Sequence, residues 1–221
     1  MTAAFAALAY LLGMVSLGGA AGGFVVGTVI YASLGPQGFA ILALFVVGGS
    51  TLTSFGYMTK TRAGIAQERG GRRGAKNAAA NCSVAVVCAL LATFTGLESF
   101  AAAFVASLGA AFADTAESEV GQLFGRYPRL ITTLRGVSPG TDGGVSLSGT
   151  SAGVVAALLT AALGYVLGIF DGTVALAVVA LAAFIGTVVD SLIGALAPRI
   201  ANELTNLACT LAAAAMTLSL T

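Results

Sequence analysis

The sequence contains no histidine and no tryptophan, and it has only three cysteines and four prolines in 221 residues. Without histidine, the commonest general base is absent, and so is every Ser-His-Asp or Cys-His arrangement. Cys82, Cys88 and Cys209 form no C-x-x-C pair, which argues against a zinc site or a disulfide framework and predicts buried packing cysteines. Any chemistry therefore has to rely on carboxylates, amides, Arg, Lys and metal.

Charged residues are also scarce, at 9% of the chain against 57% hydrophobic residues, and the mean hydropathy is +0.97. Long apolar runs separated by short polar segments are typical of polytopic membrane proteins. We predict an all-α fold, a polytopic transmembrane helical bundle of about 7-8 helices, several short or broken, in a single integral membrane domain over residues 1–221. The apolar runs cover approximately residues 3–17, 20–34, 38–58, 77–95, 99–113, 150–170, 173–196 and 204–220. The glycine-rich segment 18–23 is expected to separate the first two runs or to kink one helix.

Basic residues are concentrated in one place, because six of the ten Lys and Arg lie in the loop 59–76. Loops rich in Lys and Arg remain on the cytoplasmic side of a membrane. Counting helices from this loop places two other polar segments on the same face. They are segment 114–149, which we call the motif loop, and segment 197–203. We expect an integral protein of the cell (inner) membrane, with its polar segments facing the cytoplasm.

Acidic residues follow the apolar run 99–113, in the segment FADTAESEVGQLFG. On a regular helix, Asp114, Glu117 and Ser118 share one face, whereas Glu119 points about 140° away from Asp114. Carboxylates within a membrane usually pair with a cation or another polar group. Mg²⁺ is such a cation, and it prefers carboxylate oxygens together with phosphate oxygens and water. The alternative is a solvated helix end without a metal.

A glycine- and hydroxyl-rich stretch, VSPGTDGGVSLSGT at 137–150, leads directly into the next apolar run. Exposed backbone N–H groups followed by a helix N-terminus suit phosphate binding, although a simple linker would look similar. No Walker motif is present.

Polar stripes occur on three other helices. Asp190 lies near the inner end of the run 173–196, Asn202, Glu203 and Asn206 open the last helix, and Arg73, Asn77 and Asn81 are spaced by four. Each stripe could consist of interhelical hydrogen bonds, but their common depth favours a shared site.

Five motifs resemble those of the DUF92 integral membrane family, which includes plant phytyl-phosphate kinase and an animal transmembrane protein: ADTAESEVG, PRLITT, PGTDGGVSLSGT, DSLIGA and NELTNL. The resemblance runs from about residues 71–74 to near the C-terminus. It implies transfer of a phosphoryl group from CTP, or another nucleoside triphosphate, to an isoprenoid monophosphate such as phytyl or geranylgeranyl phosphate. The family pattern includes Glu119 but not Glu117. Because Glu119 points away from Asp114 on a regular helix, this pattern predicts that the helix ends or unwinds after Asp114. Asp142 is a secondary candidate.

The resemblance picks out most of the candidate site residues, Arg72 and Lys76 are added from the basic loop, and the roles are hypotheses that fit the implied chemistry. The expected catalytic residues are Arg73, Asp114, Glu119 and Asp190, and the expected Mg²⁺ ligands are Asp114, Glu119, Asp190 and Glu203. The expected nucleotide- and phosphate-binding residues are Arg72, Lys76, Asn81, Ser118, Pro139, Gly140, Thr141, Gly143, Ser146, Asn202 and Asn206.

The expected partners are CTP, a prenyl monophosphate and the lipid bilayer, but no nucleic acid. The oligomeric state stays open, a homodimer included. Two alternative functions remain. One is a related CTP-using lipid enzyme, either a polyprenol kinase or a cytidylyltransferase, and the other is a transporter of an anionic solute, whose site should lie near the bilayer midplane.

Overall fold

A computed structural model describes residues 1–67 and 69–221, so Glu68, in the predicted basic loop, lies outside the described residues. Within them the chain forms eight α-helices and a small ribbon of two strands, which confirms the predicted helical bundle. The helices are α1 (Thr2–Leu11), α2 (Leu17–Ser54), α3 (Tyr57–Arg62), α4 (Ala75–Thr95), α5 (Glu98–Phe124), α6 (Leu147–Val166), α7 (Thr173–Leu196) and α8 (Asn202–Leu220), and the antiparallel strands are β1 (Arg129–Leu130) and β2 (Gly144–Val145). Six of these helices, α2 and α4 to α8, are long and apolar enough to cross a membrane.

Helix α2 is a hairpin of two helical halves. Gly35 has φ 65° and ψ −161°, a conformation open to glycine, and Pro36 follows it. A Cβ at Gly27 would lie 3.1 Å from the Phe39 ring and 3.6 Å from Leu42, so the halves pack side by side. The predicted boundary between the runs 20–34 and 38–58 is confirmed, and α2 contains two segments of membrane-spanning length.

The break predicted at residues 18–23 is wrong, because these glycines lie in the first turns of α2. The helix begins after Ser16, whose hydroxyl accepts a hydrogen bond from the Gly19 N–H. A Cβ at Gly19 would collide with the Arg73 carbonyl oxygen, and one at Gly22 would contact Ala78. The glycines therefore allow the start of α4 to approach α2 closely.

Helix α1 is shorter than the predicted run 3–17, because it ends at Leu11 and the chain turns at Gly13, where φ is 72°. Ten residues span about 15 Å, half of a bilayer core of about 30 Å. The helix packs on α2, where Phe5 meets the Phe39 ring edge-on at 5.2 Å.

Helix α5 is the central element and packs against α2, α4, α6, α7 and α8. Its face towards α6 is tightly packed, since a Cβ at Gly149 would lie 2.7 Å from the Glu117 carbonyl oxygen. The predicted helix end or unwinding after Asp114 is wrong: α5 continues to Phe124, which shortens the motif loop to 125–146. Hydrogen bonds to Glu117 and Glu119 from other elements allow the helix to continue through the acidic segment.

The alternation of the helices brings four connections, residues 12–16, 55–74, 125–146 and 197–201, to one end of the bundle, which we call the basic face. Every Lys and Arg belongs to these connections or to the helix ends beside them. Among the described residues, the charged groups of the opposite face are Glu98 and Asp171, which are linked by a hydrogen bond from the Asp171 N–H to the Glu98 carboxylate. The predicted grouping of the polar segments on one face is thus present in the fold.

Candidate functional site

A polar cavity of about 1000 Å³ opens at the basic face between α4, α5, α7, α8 and the connections beside them. Its volume is that of a site for a ligand of nucleotide size. All residues expected at the site line this cavity: Arg72, Arg73, Lys76, Asn81, Asp114, Ser118, Glu119, Pro139, Gly140, Thr141, Gly143, Ser146, Asp190, Asn202, Glu203 and Asn206. Asn77, Glu117 and Asp142 line it as well.

Two carboxylates of the cavity are candidates for ligand binding. Asp114 on α5 and Asp190 on α7 are close enough for their charges to interact, and neither forms an ion pair with another described residue. The Asp190 Oδ2 atom is buried without a hydrogen-bond partner. A buried carboxylate oxygen without a partner is costly and indicates a ligand.

These carboxylates fit a hard divalent cation. Among the residues that the structure describes, no three acidic, Cys or His side chains converge into a complete set of ligands. Mg²⁺ commonly takes one or two protein carboxylates and fills its remaining positions with phosphate oxygens and water. Asp114 and Asp190 therefore suit an ion that arrives with a phosphorylated ligand.

Glu119 faces another direction, as expected for a regular helix. It is 2% exposed, and its Oε2 atom lies 2.5 Å from Nζ of Lys60, which is 1% exposed. The Lys60 ammonium also donates to the carbonyl oxygens of Thr53, at 2.8 Å, and Leu52, at 3.3 Å, in the last turn of α2. Lys60 is thus a buried structural cation, and one Glu119 oxygen is already neutralised.

Glu117 is held by α6. Its Oε1 atom accepts a hydrogen bond from the Thr150 hydroxyl at 3.0 Å, and its Oε2 atom lies near Gly153, where a Cβ would approach it to 3.3 Å. Glu117 therefore joins α5 to α6 at the cavity wall.

Arg73 lies between α2 and α5. Its guanidinium carbon is 4.6 Å from the centroid of the Phe45 ring, its Nη2 atom donates to the Thr115 hydroxyl at 3.1 Å, and a Cβ at Gly49 would collide with it. Burial lowers the pKa of this guanidinium, whereas the nearby charges of Glu119 and Asp114 raise it. An arginine keeps its proton in proteins, so a fixed positive charge remains at the cavity wall.

The start of α4 adds donors beside Arg73. Gly74 precedes the helix without a side-chain cap, so the first N–H groups have no capping side chain. Arg72 and Lys76 are exposed on the cavity wall, and the Asn81 amide donates to the Asn77 backbone oxygen at 3.0 Å. Uncapped N–H groups beside three cations attract anions such as phosphate.

The glycine-rich loop is more self-contained than predicted. The Thr141 N–H and hydroxyl both donate to the Ser138 carbonyl oxygen, and the Gly144 N–H donates to the Thr141 oxygen. Ser146 caps α6 by accepting a hydrogen bond from the Gly149 N–H at 3.2 Å. These groups shape the loop, so the free donors for a phosphate are fewer than the sequence indicates.

The loop also rests directly on α7. Gly143 has φ 71°, and a Cβ there would lie 2.6 Å from the Ser191 carbonyl oxygen. Only glycine fits this close approach, which places the loop next to Asp190.

The start of α8 completes the wall. Asn202, Glu203 and Asn206 line the cavity, and Thr205 donates to the Asn202 carbonyl oxygen at 3.1 Å. Glu203 is exposed, which distinguishes it from the buried carboxylate oxygen of Asp190.

Sequence reasoning missed three polar residues at or beside this cavity. Gln122 lines the cavity, and its Oε1 atom is buried without a hydrogen-bond partner. Its spacing of four residues from Ser118 and eight from Asp114 is a signal that could have predicted it. Thr115 and Lys60 had no comparable signal, since their partners Arg73 and Glu119 are distant in the sequence.

The fold and the cavity define a class of protein: a polytopic helical membrane protein with a polar cavity that is lined by charged residues and opens at one face. The chain belongs to the family described as integral membrane protein DUF92, whose family model matches residues 1–214, and the resemblance seen in the motifs is thereby confirmed. No solved structure matches the chain.

The relatives include proteins of Synechocystis and Arabidopsis thaliana. The chain is 39% identical over 193 residues to the uncharacterized membrane protein sll0875 of Synechocystis, covering 83% of this chain and 73% of that protein. It is 35% identical over 160 residues to the protein VTE6, chloroplastic, of Arabidopsis thaliana, covering 69% of this chain and 47% of that protein. It is 31% identical over 203 residues to the Arabidopsis protein PGR, covering 81% of this chain and 70% of that protein.

Proposed function

We propose that this protein is a kinase that transfers the terminal phosphoryl group of CTP to an isoprenoid monophosphate, giving the prenyl diphosphate. The observation that supports this function is that one cavity contains two carboxylates without an ion-pair partner among the described residues, Asp114 and Asp190, and the basic start of α4. The DUF92 family includes a plant phytyl-phosphate kinase, and the preference for CTP and for a phytyl or geranylgeranyl chain comes from that resemblance. The proposed location is the cell membrane, with the cavity facing the cytoplasm.

The two sides of the cavity suit the two charged parts of a metal-nucleotide complex. Asp114 and Asp190 would hold Mg²⁺, with Glu203 and the free oxygen of Glu119 as further ligands. When bound, the ion would neutralise charge on the donor phosphates. Arg72 and Lys76 would bind phosphate oxygens of the nucleotide from the opposite side, and Arg73 would stabilise the transferring phosphoryl group.

The reaction needs no strong base, which agrees with a chain that lacks histidine. A phosphate monoester is largely ionised at neutral pH, so one of its oxygens can attack the γ-phosphorus directly. The bond from the γ-phosphorus to the bridging oxygen breaks, and CDP leaves with that electron pair. The work of the side chains is to align the two phosphates and to stabilise the charge on the transferring group.

The test is incubation of the purified protein with radiolabelled CTP, Mg²⁺ and geranylgeranyl monophosphate. We expect geranylgeranyl diphosphate and CDP as products. Release of pyrophosphate would instead indicate a cytidylyltransferase, and phosphorylation of geranylgeraniol alone would indicate a kinase of the free alcohol. Absence of every product, in a protein that unfolds cooperatively, would contradict the proposal.

A matched pair of variants tests the carboxylate. Asp114→Asn should lower kcat by about 100-fold or more, since it removes a negative group from the reacting centre while keeping its shape. Asp171→Asn makes the same change on the opposite face and should leave kcat unaltered. Equal rates for Asp114→Asn and the unmodified protein would refute the metal role.

A further inference from the structure

A second, apolar crevice of about 50 Å³ lies beside the polar cavity, and nothing above assigns it a ligand. Side chains of α1, both halves of α2 and the first turns of α4 form its walls, and almost all of them are Ala, Gly, Val, Leu or Phe. It extends along α4 from Gly74 to Cys82, about 12 Å at 1.5 Å per residue, which compares with about 15 Å for half of a bilayer core.

The crevice and the polar cavity meet at one point. Three residues line both spaces, namely Arg73, Gly74 and Asn77. The Arg73 guanidinium lies over Phe45, which lines the crevice, and donates to Thr115, which lines the polar cavity. The junction therefore combines a cation, an amide and the uncapped first turn of α4.

We propose that the crevice binds the head-proximal part of the isoprenoid chain of the acceptor, with its phosphate at the junction formed by Arg73, Asn77 and the start of α4. This inference rests on the proposed function and specifies where its second substrate binds. The acceptor's reactive oxygen would then point from the junction into the polar cavity, towards the donor phosphates.

Shape and charge together select this ligand. The junction carries positive charge and backbone donors that suit a phosphate, and the apolar walls suit a hydrocarbon chain. The remainder of a long prenyl chain would extend into the bilayer beyond Cys82.

Gly23 offers a way to fill the crevice without disturbing the fold. It lines the crevice, and a Cβ at this position would meet no atom within 4 Å. Gly23→Leu should therefore occupy the space of the chain, and leucine is a better helix former than glycine. Ala21→Leu, on the exposed side of the same helix, is the matched control.

Kinetics provide the first test. Gly23→Leu should raise the KM for geranylgeranyl monophosphate about 10-fold or more, because several methylene contacts are lost, while the KM for CTP stays constant. Ala21→Leu should behave as the unmodified protein, with the same KM for both substrates. An unchanged KM for the long acceptor in Gly23→Leu would overturn the proposal.

A binding measurement separates this inference from the proposed activity. Geranylgeranyl monophosphate with a diazirine in its first isoprene unit, irradiated without CTP, should label peptides of α1, α2 and α4. The label should be lost in Gly23→Leu and in Arg73→Met, and excess unlabelled geranylgeranyl monophosphate should compete for it. Labelling confined to α6 or α7, or equal competition by phosphatidic acid, would overturn the crevice assignment even in an active kinase. The expected labelling in a protein without turnover would support the crevice and refute the kinase.

Discussion

The buried pair of Lys60 and Glu119 leads to the clearest prediction about stability. Lys60 Nζ has three donors, and the structure gives it three acceptors, namely one Glu119 oxygen and the carbonyl oxygens of Leu52 and Thr53. Both side chains are almost fully buried, so neither charge can be solvated when its partner is removed. Lys60, on α3, thereby joins the end of α2 to the C-terminal part of α5.

Replacing Lys60 with methionine keeps the volume of the side chain but leaves Glu119 as an uncompensated buried charge. Breaking a buried pair in this way costs about 3–5 kcal/mol of unfolding free energy. For a chain of this size each kcal/mol corresponds to roughly 2–4 °C in Tm, so Lys60→Met should melt roughly 6–20 °C below the unmodified protein. The double variant Lys60→Met/Glu119→Leu removes both charges and should regain much of this loss.

The three cysteines make the assay direct. Cys82, Cys88 and Cys209 are buried and free, so a fluorogenic maleimide in detergent should react with them only as the protein unfolds. Lys76→Met is the matched control, because Lys76 is exposed and its loss should shift Tm by no more than about 2 °C. A Lys60→Met protein that melts within about 2 °C of the unmodified one would refute the role of the ion pair, and so would a double variant no more stable than the single one.

Two further predictions concern the cavity and the orientation of the bundle. Asp190 has a buried oxygen without a partner, whereas Oε2 of Glu119 is bound to Lys60, so we expect Asp190 to contact Mg²⁺ more directly. Asp190→Asn should therefore raise the Mg²⁺ concentration needed for half-maximal turnover more than Glu119→Gln does. The reverse order in a magnesium titration would contradict this ranking. In sealed membrane vesicles, a membrane-impermeant maleimide should label Arg126→Cys and Arg199→Cys from one side, and Leu97→Cys and Asp171→Cys from the other, because the native cysteines are buried. Labelling of all four from one side would exclude the arrangement of the faces.

Local patterns were enough to predict much of the site. Helical spacing puts Asn77 and Asn81 on one face of α4, and Asn202 and Asn206 on one face of α8, and both pairs line the cavity. Arg73 also lines the cavity, but it precedes α4, so the predicted helical stripe does not extend to it. The same geometry places Asp114 and Glu119 on different sides of α5, and the structure retains this regular helix to Phe124. The idea that the helix unwinds after Asp114 had no physical basis in the spacing, and it failed.

The sequence by itself determined the class of protein and the concentration of charge on one face, because hydropathy and charge are read directly along the chain. Most of the cavity residues were predicted through the resemblance of the motifs to the DUF92 family, which helical periodicity alone does not supply. The tertiary structure alone decided which charges are neutralised and which remain free for a ligand. Lys60 and Glu119 are 59 residues apart, and Arg73 reaches Thr115 across 42 residues. Such pairings depend on how separate helices pack, so the same residue types become structural in one place and available for chemistry in another.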